Sequence, residues 1–320
     1  MKEFYIAYLK TGEEIQGFFM VKSIAVKTGS NKKQYLDLVL GDATGDMSAK
    51  KWDITDGEMP ALNEIKEGDL VKIKAIVNEW NHLKQLKVLK IRGFQKESDE
   101  IELMDFIKSA PEKAEDMFQY LYKKAESVED EGLRALSLRL LDDNREKLMY
   151  YPAAAKNHHA EMAGLLYHMK RMMMTGEKIC QVYTNLKRDL IVVGVIMHDI
   201  EKLNEIISNE FGVASGYSFE GQMLGHLIQG VKVLDRLCEE LKLPQEKAVM
   251  LEHMMISHHY EPEFGSPKKP MFPEAEILHY LDMIDARMYD MTDALKGTEE
   301  GEFSERVWTL DNRRLYKAQW

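Results

Sequence analysis

Nine of the ten histidines fall between residues 158 and 279, and only His82 lies outside that stretch. Histidines and aspartates gathered in one segment offer imidazole nitrogens and carboxylate oxygens. That donor set suits Mn²⁺, Fe²⁺, Co²⁺, Ni²⁺ or Zn²⁺, and the lack of nearby thiols argues against a soft-metal site. His168 ends the apolar run GLLYH. His198 and Asp199 stand side by side after DLIVVGVIM. His226 follows a small residue in LGHLIQG, His258 and His259 close EHMMISHH, and Asp282 sits in LHYLDMIDAR with Asp285 one turn on. A lone histidine beside apolar residues is ordinarily a packed core residue. The order H…HD…H…HH…D, each member beside an apolar helical run, instead predicts ligands donated by separate helices to one centre. Two ions about 3.5–4 Å apart can activate a water and stabilise an in-line phosphoryl displacement. Asp199 is the natural bridge between them, because it alone is held next to another ligand.

Positioning such ligands needs a helical body, and residues 157–295 carry helical periodicity almost throughout. The run Asp189–Met197 is apolar enough for a buried strand, but its helical neighbours favour a buried helix. Residues 96–156 read as a helical connector. Ser98 opens a stretch like a capping box, Pro111 interrupts it, and Met117, Tyr120, Leu121, Leu133, Leu136, Leu140 and Leu141 follow at helical spacing. Residues 296–320 form a charged tail. The Met-rich stretch 169–174 is either core or a contact between subunits.

Residues 1–95 differ. Five short runs alternate or favour β-branched and aromatic residues: 17–26, 35–40, 46–54, 68–77 and 85–91. Turn formers separate them, and a short link at 62–67 lies between the third and fourth. This is the layout of a five-stranded OB-like barrel. The chain is therefore expected to be α+β and multidomain: a barrel (1–95), a connector (96–156), an all-α bundle (157–295) and a tail (296–320).

The charge divides in the same way. The chain of 320 residues carries −11 overall, yet residues 1–95 hold 15 Lys+Arg against 13 Asp+Glu. A protein coated in basic residues for duplex binding is excluded, and the barrel is the better place for a polyanion. Single-strand binders combine mild positive charge with aromatic platforms. The barrel offers Trp52 beside Lys50 and Lys51, with Phe19 (next to Phe18), Tyr35, Lys22, Lys27, Lys32 and Lys33 as further candidates. Two cysteines without CxxC spacing and no run of about 18 apolar residues fit a soluble protein of a reducing cytoplasm.

The ordered motifs HHAEMAGLLYH, HDIEK, GH, SHHYEPEFGSPKKP and LHYLDMIDAR resemble the HD-domain superfamily of metal-dependent phosphohydrolases. Within it they resemble the YhaM-type 3′→5′ exoribonucleases, which carry an OB fold ahead of the HD domain. The resemblance implies removal of nucleotides from the 3′ end of single-stranded RNA, with single-stranded DNA as a second polymer, using Mn²⁺ or a similar ion. It implies His168, His198, Asp199, His226, His258 and Asp282 as metal ligands. Lys202 lies one helical turn after the His-Asp pair, placed to hold the scissile phosphate. His259 is expected to touch substrate or a ligand. Relatives with three ions use a glutamate one turn before the first histidine. Gly164 stands there, so two ions are expected. His158, His159, His253 and His279 are expected to be structural or to stand behind the ligands. Gly265, Ser266, Lys268 and Lys269, in the loop after the paired histidines, are candidates for phosphate contact. The resemblance also leaves room for a homo-oligomer. The competing readings are a phosphohydrolase of small nucleotides or cyclic dinucleotides, for which a polymer-binding barrel is superfluous, and a non-catalytic single-strand binder, which would be expected to have lost ligands.

Overall fold

The computed structural model describes every residue except 1, 30–32, 53, 55–56, 81–82, 97, 103–104, 156–158 and 211. Lys32, His82 and His158 thus lie outside the described residues. The chain forms two compact units, residues 1–108 and 109–320.

The first unit is a closed barrel of β1 (Glu14–Thr28), β2 (Gln34–Asp42), β3 (Gly45–Lys51), β4 (Leu70–Trp80) and β5 (Leu83–Gly93), in the order β1-β2-β3-β5-β4. The helix α1 (Met59–Asn63) falls between β3 and β4, so the expected OB-like layout is met. Closure follows from β1. One part of it pairs with β4, with Phe19 opposite Val71, and a bulge between Val21 and Ser23 lets the rest pair with β2. A bulge bends a strand, as closing a barrel requires. The two-residue period then fills the interior with Phe19 and Val21 from β1, Leu36, Leu38 and Leu40 from β2, and Val71, Ile73, Ala75 and Val77 from β4.

The described residues of 99–108 depart from the expected helix. Phe106 and Ile107 are buried, the Asp105 carbonyl accepts from Ala43 N–H, and the Asp105 carboxylate accepts from Tyr5 OH. Asp99 is clamped by both terminal nitrogens of Arg92 at 2.6 Å. These tertiary bonds hold the segment against the barrel, so its local helical signal is overridden. The barrel unit therefore ends near residue 108 instead of 95.

The second unit packs α2 (Ala114–Glu126), α3 (Glu131–Leu148), α4 (Gly164–Val182), α5 (Arg188–Met197), α6 (Lys202–Glu205), α7 (Phe219–Glu240), α8 (Gln245–Ser257) and α9 (Pro273–Leu295). The apolar run ending at Met197 is a helix, α5. All residues from Leu190 to Met197 are buried, and α5 contacts α2, α3, α4, α8 and α9. A helix apolar all round belongs at the centre of a bundle. Helices α2 and α3 share this core through Met117, Phe118, Leu121, Leu136 and Leu140, so the stretch expected as a connector is part of the helical body. Met169, Met172 and Met173 are core residues, whereas Met174 is exposed. A small hairpin of β6 (Ile206–Ser208) and β7 (Ala214–Tyr217) interrupts the helices, which their periodicity did not foretell. No helix among the described residues is long and apolar enough to cross a membrane.

Candidate metal centre

The His-Asp pair lies just beyond the C-terminal end of α5, where the chain leaves the apolar core. His198 and Asp199 are both buried. The two oxygens of Asp199 point to different groups of histidines. Oδ2 lies 3.3 Å from His198 Nε2 and 3.8 Å from His168 Nε2. Oδ1 lies 3.4 Å from His226 Nε2 and 3.9 Å from His258 Nε2. Donor atoms of His168, His198 and Asp282 lie within 4.8 Å of one another, and so do those of Asp199, His226, His258 and His259. The structure therefore brings together all six residues expected as ligands and adds His259 to the second group.

The donor atoms are poised for cations. Asp199 Oδ1 and Oδ2, His226 Nε2 and His258 Nε2 are buried without a hydrogen-bond partner. Each such orphan costs about 1–3 kcal/mol unless something satisfies it. Lys202 Nζ lies 2.7 Å from Asp199 Oδ2, as an ion pair outside hydrogen-bond geometry. The ring orientations are fixed from behind. His198 Nδ1 lies 2.9 Å from Val195 O, His258 Nδ1 2.8 Å from Met255 O, and His259 Nδ1 2.8 Å from Phe264 O. A carbonyl can only accept, so Nδ1–H donates and Nε2 presents its lone pair inward. The donor set and these orphaned atoms fit divalent ions.

Electrostatics prepare the same state. Burial pushes the His258 pKa well below its ordinary value, and neighbouring His259 and His198 lower it further, so the ring is neutral. Burial opposes ionisation of Asp199, yet Lys202 and His198 hold its carboxyl well below the usual range. Asp282 is likewise held low against burial, by His168. Burial disfavours charge on His168, but Asp282 and Asp285 outweigh it and raise the pKa to about 9. Nε2 of His168 thus attracts positive charge, whether proton or metal.

Asp285 plays a different part from Asp282. Asp282 Oδ1 lies 3.4 Å from His168 Nε2, on the metal side. Asp285 Oδ2 instead receives His168 Nδ1 and His159 Nε2, both at 2.8 Å, and Oδ1 receives Arg171 Nε at 2.5 Å. These bonds commit Asp285 to steering His168. Asp285→Asn should weaken Mn²⁺ binding about 10–100-fold, read by calorimetric titration; an unchanged affinity would refute the assignment.

Arg171 and Glu205 escaped the sequence reading. Glu205 receives His226 Nδ1 at 2.9 Å and His226 N–H at 3.2 Å. That second bond depends on a kink inside α7 at Gly225, whose φ of 69° favours glycine. The GH dipeptide was its sequence trace. His159 was expected behind the ligands and lies on Asp285. His253 Nε2 accepts from Met271 N–H, and His279 Nδ1 bonds His258 O.

Among the nucleic-acid candidates, Phe19 and Lys51 are corrected. Phe19 is fully buried, and its neighbour Phe18 is the one turned outward. The β3 alternation that sends Met47 and Ala49 inward also sends Lys51 inward, where it pairs with Glu58 at 2.9 Å. Trp52 is exposed and stacks on Tyr35, with ring centroids 4.3 Å apart. Lys50 Nζ lies 5.6 and 6.0 Å from those two rings. Lys268 and Lys269 are exposed, and Lys269 Nζ sits over the Tyr260 ring. Ser266 is buried and accepts from His259 N–H, so it braces the paired histidines and does not face solvent.

The HD domain family matches residues 165–287. A 3′-5′ exoribonuclease YhaM from Geobacillus sp. strain WCH70 is 36% identical over 313 residues, which is 98% of this chain and 94% of the relative. The 3′-5′ exoribonuclease YhaM of Oceanobacillus iheyensis is 36% identical over 312 residues, 98% of this chain and 96% of its own. Among solved structures, the second OB-fold domain of replication protein A from Methanococcus maripaludis is 17% identical. It covers 31% of this chain and 98% of its own, with a TM-score of 0.24. With identity sustained across both units and the HD domain matched in the second, the chain belongs to the YhaM family of 3′-5′ exoribonucleases.

Proposed function

We propose that this metal-dependent 3′-5′ exoribonuclease works with two divalent ions, Mn²⁺ foremost, joined through Asp199, and that its barrel holds the single-stranded RNA. The observation that carries the proposal is the division of Asp199, one oxygen facing each group of histidines. When bound, such ions supply Lewis acidity for the phosphate and acidify a water toward neutral pH.

The chain's own residues do the rest. His168, His198 and Asp282 would hold one ion, and His226 and His258 the other, with His259 beside them. Lys202, only 12% exposed at its side chain, offers its ammonium to the scissile phosphate. Burial lowers its pKa, but Asp199 and Asp282 more than restore it, so it stays charged. His259 is less buried than His258, which supports reading it as the residue that touches substrate. On the barrel, Trp52 and Tyr35 form a stacked platform and Lys50 supplies charge beside it. Stacking does not read the 2′-OH, so single-stranded DNA fits the same surface.

The test is a time course with 5′-labelled single-stranded RNA, with Mn²⁺ or with chelator. A ladder shortening one nucleotide at a time from the 3′ end, only with Mn²⁺, is expected. Substrate left intact in every divalent metal would overturn the proposal. Trp52→Ala should raise the RNA dissociation constant about tenfold in fluorescence anisotropy; equal affinity would remove Trp52 from the interface.

A further inference from the structure

The helical unit has to admit a polyanion although it is itself acidic. Residues 109–302 hold 22 Lys+Arg against 34 Asp+Glu, whereas residues 303–320 hold 4 against 2. The sign reverses only over these last residues, directly after Glu299, Glu300 and Glu302, and the stretch is ordered. Phe303 bridges Tyr316 and Val307 bridges Arg313 in antiparallel fashion, and a 3-10 turn at Trp308–Leu310 forms the tip. Leu310 is buried and anchors this hairpin. Arg287 Nη2 of α9 pairs with Asp311 at 2.7 Å. Arg287 follows Asp282 by five residues, about 8 Å along the helix axis, so the tip is tied to the helix that supplies a metal ligand.

What the hairpin shows to solvent is aromatic and on balance cationic, with Glu305 and Asp311 as its exposed acids. Trp308 is 74% exposed at the tip, and Phe303 and Tyr316 are each about half exposed. Arg314 lies over the Phe303 ring. Arg306, Arg314 and Lys317 hydrogen-bond backbone carbonyls of Asn312, Ser304 and Thr298. Carbonyl bonds orient these groups without cancelling their charge. Exposed rings set among oriented guanidinium groups are the parts of a single-strand contact: bases stack on the rings and phosphates meet the cations. An acidic surface elsewhere repels the strand, so cations at this place guide it.

We infer that the C-terminal hairpin, residues 303–317, is a second RNA-binding surface, with Trp308 stacking a base and Arg306 and Arg314 meeting phosphates of the same strand. The inference rests on the exoribonuclease reading. It concerns the part of the strand beyond the nucleotides seated at the metal centre, so it acts on long substrates and not on very short ones.

The experiment compares the full-length wild type, Trp308→Ala and the double variant Arg306→Gln/Arg314→Gln. Binding of a fluorescent 20-nucleotide RNA and of a trinucleotide is measured by anisotropy under chelator, so that no cleavage intervenes. Trp308→Ala should weaken the 20-mer about tenfold and the trinucleotide less than twofold. The double variant should also flatten the dependence of log K on log salt by about 0.7 for each arginine lost. Mn²⁺ affinity should match wild type in both variants, which excludes damage to the metal centre. Unchanged 20-mer affinity and salt slope would overturn the inference. A drop in solution mass of the variants, with long and short RNA weakened equally, would overturn it in favour of a contact between copies of this chain. The exoribonuclease reading fails separately, if the wild type run alongside with Mn²⁺ shortens no RNA.

Discussion

Asp199→Asn should abolish RNA shortening, lowering kcat/KM by about a thousand-fold or more, roughly 4 kcal/mol of transition-state stabilisation. The loss should exceed that at any other ligand, because this side chain serves both groups. Its Oδ2 faces His168 and His198, and its Oδ1 faces His226 and His258. An asparagine keeps the shape but presents an amide NH₂ to one group, where it would repel a bound cation, and it would remove the negative charge that faces both. Bound Mn²⁺ should fall with activity when counted on the purified protein. Circular dichroism should show an intact helical unit, since the exchange changes almost no volume. A folded variant that shortens RNA at the wild-type rate would sink the bridging role, and one that retains full metal but loses all activity would move Asp199 from ligand to acid–base chemistry.

How much of this centre could be read beforehand follows from where each signal lies. The residues proposed as ligands were readable because each stands beside an apolar run, and such runs are local. The bundle and the barrel were readable for the same reason: periods of 3.6 and 2 are written residue by residue. What supports the ligands was harder to see. Asp285 and Asp282 differ by one turn on the same helix, and only packing shows that His159 and Arg171 reach one of them. Glu205 meets His226 across a hairpin that a helical pattern conceals. Phe19 and Lys51 failed as RNA contacts because alternation says that neighbours face opposite ways, but not which one faces in. The segment 99–108 failed because Asp105 and Phe106 are used by the barrel, a demand that appears nowhere in local propensity. Two glycines carry a structural reason of their own, Gly225 a kink at positive φ and Gly164 a close approach of backbone that a Cβ would block.

Gly164→Ala is the sharper test of the second of these. Gly164 opens α4, four residues before His168, and a Cβ there would overlap the backbone carbonyl oxygen of His159. That carbonyl cannot simply turn away. It accepts from Ala153 N–H at 3.1 Å and from Glu161 N–H at 2.8 Å, and His159 already holds a left-handed φ of 53°. Relief must move the His159 backbone, and His159 Nε2 is bonded to the same Asp285 oxygen that steers His168. The substitution should therefore cost about 3 kcal/mol, a fall in Tm of roughly 6–12 °C for a domain of this size, and Mn²⁺ affinity should fall with it. Gly297→Ala, where nothing lies within 4 Å of the added carbon, is the control and should move Tm by less than about 2 °C. A Gly164→Ala protein with wild-type Tm and wild-type Mn²⁺ affinity would disprove the packing argument. A glutamate at this position would begin with that same excluded Cβ, so this backbone holds no carboxylate one turn before His168.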